Sequence, residues 1–283
     1  MTGLPAMLDP LPHLRAALLA VALALWTAAM IPVQAMVRAL GSRLAWVVPG
    51  VYHRGVCRLI GLEVLSHGAP IRDRPALYVA NHASYLDISV LLTLVKGSFV
   101  AKAEVAGWPV FGLLARLAGT VFVDRRPSRS HAPRTQMRAR LEAGDRLILF
   151  PEGTSTDGNR VLPFNSTFFG VVEQPIAGRV VPVQPISIAY TRYNNLPMRR
   201  RERPFLAWYG GMGMIGHLWW LLCDGPATVE VAFHAPLTIA DHPSRKILAA
   251  DCQRRVHDGV SRLLAGRPLD PEAGAPAAGR CPN

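Results

Sequence analysis

The sequence predicts an α/β fold: one domain with a largely buried sheet flanked by helices, preceded by an N-terminal membrane-associated helical segment. Three observations carry this expectation. Half of the 283 residues are hydrophobic, enough to bury a sizeable core. Residues 16–37, AALLAVALALWTAAMIPVQAMV, form an uncharged run long enough to cross hydrocarbon as a helix. Beyond Arg58, short β-like runs alternate with helix-length stretches and Gly/Pro turns. The 31 basic and 19 acidic side chains give a formal charge of +12, with a mean hydropathy of +0.21. Such a composition excludes a disordered or collagen-like chain and points to a membrane surface or an anionic partner.

The N-terminal run reads as a retained anchor, because Asp9 and Pro10 precede Arg15 and the run is longer than the apolar region of a signal peptide. Pro32 should kink it and Gln34 weakens its end, so spanning the bilayer and lying in its interface are both open. Arg38, Arg43, Arg54 and Arg58 flank a second apolar patch at 45–51 and place the remainder on the cytoplasmic side of the inner membrane. The expected organisation is an anchor over residues 1–58, a catalytic domain over 59–265 and a disordered tail over 266–283. Strands are expected at Ala76–Ala80, Val121–Val123, Leu147–Phe150, Val180–Val183, Ile186–Ala189 and Thr228–Phe233. Helices are expected at Tyr85–Val95, Val110–Ala118, Arg134–Ala143 and Ser244–Leu264, the last with Ser244 as N-cap.

Cys57, Cys223, Cys252 and Cys281 are scattered, with no C-x-x-C pair and no histidine at zinc-finger spacing, so they read as core or bystander residues. No helix-turn-helix, zinc or RNP-like element accompanies the basic charge, and nucleic acid is not an expected partner. Two basic stretches are open to two readings each. The arginines between Arg125 and Arg140 form either a solvated helix face or a surface for acidic partners. The loop NNLPMRRRERP at 194–204, followed by Trp208, Trp219 and Trp220, is either solvated or dips into an anionic interface.

Chemistry concentrates in LYVANHASYLD, where an apolar strand ends at Ala80 and Asn81, His82 and Asp87 follow. With His82 in the turn and Asp87 on a helix starting near Ser84, the carboxylate holds Nδ1–H of the imidazole and leaves Nε2 to take a proton. Three further strand ends run into turns: GTVFVDR at 119–125, FPEGTST at 150–156 and VPVQPISI at 181–188. Strand ends are where α/β sheets place ligands. In the second turn Pro151 forces the bend and Gly153 permits close approach. Glu152, Thr154, Ser155 and Thr156 supply polar contacts there.

In order and spacing, from about Arg58 to Phe233, these four segments resemble the glycerolipid acyltransferase family typified by 1-acyl-sn-glycerol-3-phosphate acyltransferase. The resemblance implies transfer of an acyl group from a thioester, on coenzyme A or acyl carrier protein, to the free hydroxyl of a lysolipid, with no metal or redox cofactor. It makes His82 the general base and Asp87 its orienting partner. Asn81, Lys102, Arg125, Glu152, Gly153 and Thr154 become candidate substrate-binding residues, with Arg125 toward the acceptor phosphate and the product phosphatidic acid. Ser84 and Cys57 are not expected nucleophiles. The sequence departs from the family pattern at Ser155, where an arginine is usual. The stretch FPEGTSTDGNRVLPFNSTFFG is similar to a bacterial branch that includes lyso-ornithine lipid acyltransferases, so an amino-acid headgroup is the alternative acceptor. From another class, a catalytically silent membrane adaptor would keep the same fold.

Overall fold

The computed structural model describes residues 10–123, 131–269 and 279–280. In chain order the elements are α1 (Pro10–Ala39), α2 (Val48–Leu59), β1 (Leu62–His67), β2 (Ala76–Ala80), α3 (Leu86–Leu94), β3 (Ser98–Lys102), α4 (Phe111–Leu117) and β4 (Val121–Val123). Then follow α5 (His131–Glu142), β5 (Arg146–Leu149), β6 (Val183–Tyr193), β7 (Leu196–Pro197), α6 (Met214–Cys223), β8 (Ala227–Phe233), α7 (Arg245–Leu264) and β9 (Gly279–Arg280). The sheet order is β4-β3-β5-β2-β6-β8-β1-β9, with β7 paired to β6. From β4 to β6 all neighbours are parallel; β8 then runs antiparallel to β6, and β1 runs parallel to β8.

Alternation along the central strands explains the layers. In β2, Ala76, Tyr78 and Ala80 join the core shared with α2, α3 and α6, while Leu77 and Val79 join the core beneath α5 and α7. All five are inaccessible to solvent. A strand buried on both faces reads as a continuous apolar run, which is why ALYVA was legible. Burying each large aliphatic side chain contributes about 1.5–3 kcal/mol before conformational entropy is charged against it.

Several expectations shift in detail. The separate strands expected at Val180–Val183 and Ile186–Ala189 are one strand, β6, beginning at Val183. Pro185 is accommodated because it falls between the Val183–Leu237 bridge and the first β6–β8 pair, Ile186–Phe233. Helices α2 and α6, strands β1 and β3 and the two-residue strands β7 and β9 are elements the sequence reading did not delimit. Ser244 caps α7 as expected, accepting the Ile247 N–H at 3.4 Å. Cys57 and Cys252 are buried in the two cores, whereas Cys281 lies outside the described residues. Of the tail beyond Gly266, Leu269 packs against Leu263 and its neighbours, and Gly279–Arg280 pair with β1.

Helix α1 is the one helix among the described residues long and apolar enough to cross a bilayer. It continues through Pro32 as a single element. One face packs on the domain. Near its start the Arg15 guanidinium donates to the carbonyls of Leu222 and Asp224, capping the end of α6. Near its end Gln34 Nε2 donates to Leu117 O at 2.8 Å and Arg38 to the same carbonyl at 3.1 Å, capping α4. Midway, Trp26 Nε1 donates to Tyr52 O of α2 at 3.0 Å, and the indole lies where a Cβ on Gly55 would stand. The opposite face exposes Leu11, Leu14, Leu18, Val21 and Leu25 at alternating three- and four-residue spacing.

In an ordinary helix interior Gly→Ala is stabilising by roughly 0.5–1 kcal/mol. Gly55→Ala should reverse that sign, lowering stability by about 1–3 kcal/mol through overpacking against Trp26. Thermal unfolding in detergent measures it, and Trp26→Leu in the same chain should restore most of the loss.

Candidate active site

The site lies where the parallel strands β2 and β5 end. Asn81, the residue after β2, accepts the Ile188 N–H at 2.8 Å and donates to Ile188 O at 2.9 Å. Its side-chain amide therefore continues the β2–β6 ladder while the backbone turns away. That turn carries His82 out of the sheet, and the Glu152 carboxylate accepts the His82 N–H at 2.9 Å while Thr156 N–H donates to His82 O at 2.9 Å. The FPEGTST turn thus grips the His82 backbone from both sides. Its bend needs a left-handed residue, supplied by Gly153 at φ +76.

Asp87 sits in the first turn of α3. Its Oδ2 accepts the N–H groups of Ala83 at 2.8 Å and Ser84 at 3.0 Å, and also His82 Nδ1–H at 2.8 Å. Its Oδ1 accepts the Tyr190 hydroxyl from β6 at 2.7 Å. The carboxylate is fully buried, while the His82 side chain retains 19% exposure. Because a carboxylate only accepts, a proton sits on Nδ1, and Nε2 is the ring nitrogen turned away from Asp87. The imidazole stacks on Phe150 with centroids 4.0 Å apart and planes 10° from parallel, which fixes its tilt.

Glu152 accepts two backbone N–H groups, from His82 and, through Oε2 at 3.0 Å, from Leu162. Burial, helped by the nearby Asp87 charge, pushes its carboxyl up to about 7 against those two hydrogen bonds. Tyr190 is pushed well above the ordinary phenol range by burial and by Asp87, so it stays a neutral donor.

Among the residues expected from sequence, Asn81, His82, Asp87, Glu152 and Gly153 are brought together. The first and fourth act here as backbone clamps. Thr154 is exposed in the turn. Lys102 is exposed at the same edge of the sheet, on β3, two strands away from β2. Arg125 lies outside the described residues. The other turn hydroxyls face the protein: Ser155 Oγ donates to Trp208 O at 2.5 Å and Thr156 Oγ1 to Arg160 O at 3.1 Å. Sequence reasoning missed Tyr190, although it ends the row Ile186, Ile188, Tyr190 on one face of β6 and is the one hydroxyl in that row. It also missed Trp208, whose N–H donates to Ala83 O at 2.8 Å.

Two outcomes test this geometry. Tyr190→Phe leaves one oxygen of a buried carboxylate without a donor, so stability should fall by about 1.5–3 kcal/mol. Turnover should fall with little change in acceptor KM, as steady-state kinetics would show. For Glu152, the folded chain binds the proton more tightly than the unfolded chain, whose carboxyl keeps its ordinary value of 4.5. Its contribution to stability is therefore complete below that value and is lost as pH rises through about 7. Relative to Glu152→Gln, the wild-type melting temperature should decline across this window; a constant difference would show that Glu152 titrates normally.

A family model described as Acyltransferase matches residues 59–189. The lyso-ornithine lipid O-acyltransferase of Rhizobium meliloti (strain 1021) is 38% identical over 268 residues, covering 93% of this chain and 91% of that protein. The 1-acyl-sn-glycerol-3-phosphate acyltransferase of Neisseria gonorrhoeae is 31% identical, covering 73% of this chain and 75% of that protein. The crystal structure of the 1-acyl-sn-glycerophosphate acyltransferase PlsC from Thermotoga maritima superposes with a TM-score of 0.66 at 22% identity, over 90% of this chain and 95% of that one, and so shares the fold. With a buried carboxylate holding a partly exposed histidine at its strand ends, and relatives matched over about three quarters or more of their length, the chain belongs to the acyltransferase family that acylates lysolipids.

Proposed function

We propose that this chain transfers a fatty acyl group from an acyl thioester, on coenzyme A or acyl carrier protein, to the free hydroxyl of a lyso-ornithine lipid. The observation that carries the acceptor choice is Ser155. Where the family usually has an arginine, this chain has a hydroxyl engaged with the Trp208 carbonyl, so no guanidinium at that position awaits a phosphate. The Rhizobium relative, matched over nearly its whole length, bears the corresponding name. The sequence alone placed the phosphate acceptor first. Lys102 and the neisserial relative keep that acceptor as the second reading.

In this reading His82 Nε2 removes the proton from the lysolipid hydroxyl as its oxygen attacks the thioester carbonyl. The tetrahedral intermediate collapses, the C–S bond breaks, and the imidazolium returns the proton to the departing thiolate. Asp87 stabilises the imidazolium and keeps the ring in one tautomer. Both substrates carry long chains, so a site at a membrane surface spares the cost of drawing methylenes into water, about 0.8 kcal/mol each. The exposed stripe of α1, opposite a face capped onto α4 and α6, fits a helix lying in the interface, with the domain on the cytoplasmic side of the inner membrane.

Purified protein in detergent, given a labelled acyl thioester on either carrier with lyso-ornithine lipid and lysophosphatidic acid in parallel, should place label in ornithine lipid. His82→Ala should lose it by about 10²–10⁴-fold. Label in phosphatidic acid alone reassigns the acceptor; a wild-type rate in His82→Ala removes the mechanism.

A further inference from the structure

The segment joining β6 to β8 carries a surface that acyl transfer does not use. Residues 199–203 read Arg-Arg-Arg-Glu-Arg, and Arg199, Arg200 and Arg201 are exposed. Their one acidic neighbour in the turn, Glu202, accepts the Arg199 N–H at 2.8 Å and so serves the backbone. Arg203 is turned inward to Asn159 Oδ1 at 3.1 Å. Two residues on, the half-exposed ring of Phe205 packs 5.7 Å from Trp220 of α6. Helix α6 then presents Ile215, 84% exposed, and Trp219, with Met212 exposed in the loop before it.

This patch adjoins the start of α1, since Trp219 Nε1 donates to His13 at 3.3 Å and Leu11 and Leu14 on that helix are exposed. We propose that residues 199–219 form a second membrane contact, separate from α1, that docks on anionic lipid: Arg199, Arg200 and Arg201 meet the phosphates while Phe205, Ile215 and Trp219 enter the interface. An acidic protein would match the arginines but would need its own apolar face for the α6 and α1 side chains beside them. An anionic bilayer supplies both at adjoining depths. The contact rests on the lipid-acylating reading, and not on which headgroup is the acceptor. It is also joined to the catalytic turn, because the His217 ring of α6 lies 3.0 Å from the Tyr85 hydroxyl and 3.1 Å from Phe205 O.

The test is flotation of the full-length protein with phosphatidylcholine vesicles, with and without phosphatidylglycerol, in the absence of substrate. The wild type should prefer the anionic vesicles, the preference fading with salt. Replacing Arg199, Arg200 and Arg201 together by Gln should erase that preference, by about fivefold per arginine. Binding to neutral vesicles and acyl transfer in micelles should persist, and the matching triple Lys replacement should keep the preference. Ile215→Ser should weaken binding to both vesicle types. An unchanged preference in the triple Gln variant overturns the proposal. So does unchanged vesicle binding with a raised KM for the carrier-protein donor, which would assign the turn to an acidic protein. Because binding is read without turnover, failure of the acyl-transfer assay would be a separate result.

Discussion

One buried carboxylate organises the site. Asp87 has no solvent to share its charge, so each of its lone pairs must be met by a donor from the protein. The donors come from three places: backbone N–H groups of the turn after β2, the His82 ring, and the Tyr190 hydroxyl across the sheet on β6. Starting helix α3, selecting the imidazole tautomer and tying the turn to the sheet are therefore one electrostatic requirement.

The sheet prepares the ground for that requirement. Its parallel half sends the ends of β2, β3, β4 and β5 to one edge, which gathers His82 and the FPEGT turn from distant parts of the chain. The longer β6 projects past that edge, since Ala80 at the end of β2 pairs with Ile186. Asn81 uses the extra length, bonding to Ile188, and the same strand delivers Tyr190 two residues later. The antiparallel β8 then backs the overhang, pairing with Ile188 and Tyr190.

What could be read from the sequence followed from how local each signal is. The ALYVA strand, the α7 cap at Ser244 and the His82–Asp87 pair are written in contiguous residues, and all three stand in the structure. Tyr190, Trp208 and the real work of Glu152 were not legible, because each acts through a partner more than 50 positions away or on a backbone amide that has no letter of its own. Strand β1 escaped notice for a different reason. LEVLSH is only partly buried, so its alternation is weak, and its place is fixed by pairing with β8, which follows it by over 150 residues. The polar letter inside α1 was misjudged likewise: Gln34, expected only to weaken the end of an anchor, finishes α4, as Arg15 near the helix start finishes α6.

That last arrangement means the apolar helix is no detachable tether. A version of the chain without residues 10–39 would bare the terminal carbonyls of α4 and α6, empty the groove at Gly55 and strip the cover from the core around Cys57. Solubilising this protein by trimming its greasy end would trade one exposed apolar surface for another. The more conservative route keeps α1 whole and changes only its outward stripe, so that Leu11, Leu14, Leu18, Val21 and Leu25 become the positions at which exposed apolar surface can be reduced while the capping face stays intact.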